Sequence, residues 1–188
     1  MLGTGKIGSN PAGRSAVAGT DREKVARELA GAPVAYRALL DTATPQTLRQ
    51  RTNGTRWTNR EMLFHLLLGY LVVRNLMPLV WIISRLPRPL QHGFAATLNA
   101  CARPFHVMNY VASVVGGRGA TLRRLNSMFT NVTATLSRRL AQATEVDLQR
   151  TMAFPSRWDP FFTDRMSLLD IYHYPAQHYE FHLAQLTM

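Results

Sequence analysis

Cysteine is nearly absent: Cys101 stands alone among 188 residues, so no disulfide can form within the chain. The fold must rest on an apolar core, and 46% hydrophobic against 18% charged residues supplies one. One free cysteine suits a reducing compartment, and a cytoplasmic protein is expected. Nothing beside Cys101 in Asn99-Ala100-Cys101-Ala102-Arg103 marks an activated thiol, so it is expected to be a small packed residue. Acidic residues are missing between Glu61 and Glu145, a span that carries Arg74, Arg85, Arg88, Arg103, Arg118, Arg123, Arg124, Arg138 and Arg139. With a net charge of +11, that field favours an anionic partner. No basic stripe interleaved with aromatics, zinc-finger spacing or recognition-helix pattern accompanies it. The expected partner is therefore a small anionic molecule rather than nucleic acid.

Other absences narrow the class. Met1–Gly19 is rich in Gly, Ala and Ser and lacks a continuous apolar stretch, so it reads as a disordered leader ahead of a domain over residues 20–188. Met62 to Trp81 is apolar, but His65, Arg74, Asn75 and Pro78 interrupt it. A spanning helix wants about 20 mostly apolar residues. A buried core helix is expected instead, with interfacial attachment left open. No alternating pattern is long enough to build a sheet, and no repeat occurs.

What is present is helical periodicity. Thr20 with Glu23 has the spacing of a capping box, and Val25, Leu29, Ala32, Tyr36, Leu39 and Leu40 recur at helical intervals to about Ala43. Pro33 is expected to kink or divide that helix. Asn53-Gly54 marks a turn. Thr58 and Glu61 form a second capping box, flanked by Trp57 and Met62 as a hydrophobic staple, which starts a helix at Asn59 running towards Arg85. Pro87-Arg88-Pro89 stops it. Leu90–Val115, with Pro104 inside and Gly116-Gly117 at its end, reads as shorter helical pieces. A third long helix follows over Arg118–Ala143, and Ser167 with Asp170 starts the last one.

The histidines carry the chemistry. His178 and His182 lie one helical turn apart, about 40° around the axis, so two imidazoles can converge on one ion. His65 is embedded in Met62-Leu63-Phe64-His65-Leu66-Leu67-Leu68. A buried imidazole needs partners for its nitrogens. Either a carbonyl or carboxylate satisfies it, or it points into the bundle as a third ligand. His173 should face away from His178 and His182, and Glu180 should face solvent. Glu61 and Asp170 are either caps or outer partners of the imidazoles. His92 and His106 have no assigned role.

Gly54-Thr55-Arg56-Trp57-Thr58 leading into the His65 helix, with the closing His178-Tyr179-Glu180-Phe181-His182-Leu183-Ala184-Gln185-Leu186, resembles the DinB/YfiT-like metalloenzyme family over roughly residues 21–186. The resemblance implies an all-α, up-down four-helix bundle with a long crossover, here with extra short helices between helices two and three. It implies one divalent metal ion, with zinc, nickel and iron not distinguished, held by His65, His178 and His182. It also implies a thiol-dependent transferase or isomerase that takes a low-molecular-weight thiol as cosubstrate. No side chain stands out as a general base, so a metal-bound water or thiolate is the expected catalytic species. Two other readings stay open: a non-catalytic bundle that binds a small ligand or the metal, and a basic protein associated with membrane or nucleic acid. The Leu90–Val115 insertion is expected to cover the metal's mouth or to form a homodimer contact.

Overall fold

The computed structural model describes residues 11–188, with side chains from residue 19. Four long helices form the bundle: α1 (Pro11–Asp41), α2 (Asn59–Ile83), α5 (Leu122–Gln142) and α7 (Leu168–Leu183). The crossover from α2 to α5 carries α3 (Arg88–Ala100) and α4 (Ala102–Gly119). A short α6 (Glu145–Leu148) and two three-residue antiparallel strands, β1 (Thr151–Ala153) and β2 (Arg165–Ser167), lead into α7. The helices expected from periodicity form the all-α bundle that the resemblance implies.

Contacts fix the helix directions. Arg22 in the first half of α1 bonds the Leu140 carbonyl near the end of α5 at 2.9 Å, while Tyr36 further along α1 meets Phe129 nearer the start of α5, so these helices are antiparallel. Arg60 at the start of α2 bonds the Ala120 carbonyl just before α5 at 2.9 Å, and Arg139 near the end of α5 bonds the Arg74 carbonyl at 2.6 Å. α2 and α5 are therefore parallel, which is why a long crossover is needed between them. α7 runs opposite to α2, and this brings its last turns beside the first turns of α2. In the core, Tyr36 stacks on Phe129 with ring centroids 4.1 Å apart and bonds the Leu63 carbonyl at 2.8 Å. Such a ring pair contributes about 1 kcal/mol beyond its buried area.

Several boundaries differ from expectation. Of the leader assigned to residues 1–19, residues 1–10 lie outside the described ones and residues 11–19 belong to α1. Thr20 thus sits inside a helix rather than capping it. α1 is not divided at Pro33: Leu29, Ala32, Tyr36 and Leu40 on either side are all buried. Their packing outweighs the roughly 3 kcal/mol that an interior proline costs. The second and last helices start as predicted, with both halves of each capping box formed at Thr58–Glu61 and Ser167–Asp170.

α4 is longer than expected because Gly116 and Gly117 do not stop it. They let it approach α2. A Cβ on Gly117 would lie 2.7 Å from the Glu61 Cα and 3.0 Å from the Arg60 carbonyl oxygen. Pro104 falls in the first turn of α4, where its missing N–H is harmless. Cys101 is exposed at the α3–α4 junction, not packed. Cys101 faces outward there, while Phe94 and Leu98 of α3 face the interior. By length and composition α2 could cross a membrane, yet its first half is almost wholly buried against α4, α5 and α7.

Candidate metal centre

The first turns of α2 and the last turns of α7 bring three imidazoles together. His65 is 2% and His178 3% exposed, and His182 is half-buried. Ring centroids are 4.8 Å apart for His65–His178 and 4.5 Å for each ring to His182. One nitrogen from each ring lies within 4.8 Å of the others, the sole such triad among the described residues. His178 fits because the facing residue on α2 is Gly69, where a Cβ would fall 2.8 Å from the imidazole Nδ1. Trp57 lies over the His65 ring at 4.3 Å and closes one side.

Hydrogen bonds around the rings fix which nitrogens carry protons. His65 Nδ1 is 3.1 Å from Ser113 Oγ, and that hydroxyl gives its single proton to the Asn109 carbonyl at 2.8 Å. Ser113 must therefore accept from His65 Nδ1–H, leaving a lone pair on Nε2. His182 Nδ1 meets Gln185 Oε1 at 2.7 Å, an acceptor, so His182 Nε2 also carries a lone pair. These two Nε2 atoms are 3.2 Å apart. Two lone pairs at that distance repel unless a cation lies between them. Imidazole nitrogens bound tetrahedrally to one zinc at 2.0–2.1 Å would be separated by about 3.3 Å. The third ring adds a buried Nδ1 on His178 with no hydrogen-bond partner. The residues fit one divalent ion.

The sequence profile of the DinB superfamily matches residues 28–186. The chain belongs to the DinB superfamily. Among curated proteins and solved structures, none matches it. Membership and geometry agree on what these three rings can do, which is hold a metal ion.

The site of this DinB-superfamily protein is built for neutral imidazoles. Burial pushes the His178 pKa down to about 3, with His182 adding repulsion. Burial, then His178 and His182, hold His65 well below its ordinary value. His182 is lowered mainly by burial. A base whose folded pKa lies below its unfolded value binds fewer protons when folded, so stability rises with pH between the two values. The metal-free protein should thus lose melting temperature as pH falls from about 6.5 towards 3. His178→Ala should flatten that slope in a pH series of thermal melts, and an unchanged slope would contradict buried neutral rings.

The remaining candidates fall outside the triad. Glu61 caps Thr58 with one carboxylate oxygen and takes Arg118 at 2.9 Å with the other, so it does not serve His65. Asp170 is likewise a cap. His173 bonds Glu28 of α1 at 2.7 Å and faces away from the triad. Glu180, His92 and His106 are exposed.

Ser113 was not legible as a partner, because its role depends on how α4 docks. Gln185 stands in the closing motif, but its bond to His182 follows from the turn that ends α7. The Asn53 N–H holds the Gln185 carbonyl at 2.8 Å from a separate turn, at Asn53-Gly54, which Gly54 at φ +72° allows. Ser113→Ala should weaken metal binding about 10–100-fold by freeing the His65 tautomer. A competition titration against a chelator reads this, and unchanged affinity would mean that the hydroxyl does not position the ring.

Proposed function

We propose that the protein is a metal-dependent enzyme that activates a low-molecular-weight thiol, of S-transferase or isomerase type. His65, His178 and His182 would hold its divalent ion. The observation that carries this reading is the approach of the His65 and His182 Nε2 atoms to 3.2 Å beside the buried ring of His178. When bound, an ion on three neutral ligands keeps its full charge and supplies Lewis acidity that favours thiolate over thiol. Zinc, nickel and iron all suit imidazole donors.

The chain's own residues do the rest. Ser113 and Gln185 hold two rings in the tautomer that presents Nε2. Trp57 keeps water from one face of His65. Asp159 takes the Tyr174 hydroxyl at 2.9 Å and the Phe161 N–H at 3.0 Å, and burial pushes its carboxyl up in pKa.

The test is transfer of bacillithiol, mycothiol or glutathione onto a chloro-nitroaromatic or an epoxide. The rate is expected to fall to background on metal removal and to return when metal is restored. Equal rates with and without metal would end this reading. Ligand-dependent melting shifts without turnover would point instead to a non-catalytic binding bundle.

A further inference from the structure

A cavity of about 120 Å³ lies beside the triad, with His65 and His178 in its wall. Leu68, Val72 and Leu76 of α2 form one side, and Phe94, Leu98 and Phe105 of the crossover form another. The β1–β2 loop closes it with Phe154, Trp158 and Phe162. No lysine or arginine lines it, and Asp159 is the single carboxylate there. Its other polar groups are mostly spent internally: the Trp158 indole N–H bonds the Leu98 carbonyl at 2.6 Å, and the Tyr174 hydroxyl bonds Asp159.

This lining decides what fits. An anion entering the cavity would lose its hydration, find no cation, and meet the Asp159 carboxylate. An uncharged apolar group meets none of these costs. Apolar cavities of about 150 Å³ take up benzene, so this one matches a single ring or a branched alkyl group of similar size.

We infer that the cavity binds the uncharged, ring-sized apolar portion of the electrophile that receives the thiol, with its reacting atom at the His65–His178 end. The occupant's role as cosubstrate rests on the thiol reading above, whereas its binding does not. The two partners then divide the site by charge, with an anionic thiol outside and a neutral electrophile within.

Fluorobenzene and 4-fluorobenzenesulfonate, a weak metal ligand, can be titrated by 19F NMR into protein as isolated and after chelation. Fluorobenzene should bind both samples, and the sulfonate at least tenfold more weakly. Val72→Trp, whose indole would occupy the cavity from its α2 wall, should weaken fluorobenzene at least tenfold while helical circular dichroism is retained. If Val72→Trp does not fold, Leu76→Trp replaces it with the same expectation, since Leu76 is already 39% exposed. Equal binding of the sulfonate, no binding of fluorobenzene, or indifference to the filling variant would each overturn the inference. Fluorobenzene binding without thiol transfer would sink the enzyme reading alone, and transfer without fluorobenzene binding would sink the cavity assignment alone.

Discussion

His178→Ala is expected to leave the protein almost free of metal, where the wild type carries close to one ion per chain. Among the described residues three protein donors converge, and the one removed is buried against Gly69. Disturbing a residue that merely holds a ligand costs about 10–100-fold in affinity, so loss of a ligand should exceed about a hundredfold. Elemental analysis of tag-free protein measures this directly. His173→Ala is the matched control, because that imidazole is spent on Glu28 at 2.7 Å and should keep full metal. Metal should raise the melting temperature of the wild type by linkage and leave that of His178→Ala unmoved. The metal-free variant need not be fragile. It gives up packing around the ring, but it also loses a buried Nδ1 with no partner, a defect worth about 1–3 kcal/mol. Full metal content in His178→Ala would dismiss the triad.

How much of this was legible in the sequence depends on the range of the interaction. The capping boxes at Thr58–Glu61 and Ser167–Asp170 are local, so they set the starts of α2 and α7 without reference to anything else. Helical period placed His178 beside His182 and turned His173 away. Apolar context put His65 inside, and the closing motif joined it to the other two. Beyond one helical turn the sequence was a weaker guide. Pro33 looked like a break because the burial of Leu29, Ala32, Tyr36 and Leu40 that overrides it comes from packing of α1 on other helices, chiefly α5 and α7. Gly116-Gly117 looked like a stop because glycine is poor in helices. Its value here is lack of bulk against another helix, and that is a tertiary property. Ser113 carried no signal at all, being 48 residues from the ring it orients. Asp159 was hidden in a loop whose fold depends on β1 and β2.

Gly117→Ala should therefore damage a site that it does not touch. The added methyl would sit 2.7 Å from the Glu61 Cα, 3.0 Å from the Arg60 carbonyl oxygen and 3.2 Å from the Glu61 nitrogen. All three are backbone atoms of α2, so no rotamer change relieves the clash, and the helices must separate. Overpacking of this kind costs about 1–3 kcal/mol. For a chain of this length the melting temperature should fall by about 2–4 °C for each of those kcal/mol. Separation would also stretch the 2.7 Å bond from Arg60 to the Gly117 carbonyl and draw Ser113, one turn earlier on α4, away from His65. Metal affinity should consequently fall as it does in Ser113→Ala. Gly116→Ala should cost less, because its methyl meets the far end of the Phe64 ring, which can swing aside. Gly119→Ala has nothing within 4 Å and should change neither stability nor affinity appreciably. If Gly117→Ala melts with the wild type and binds metal equally well, α4 does not hold the site together.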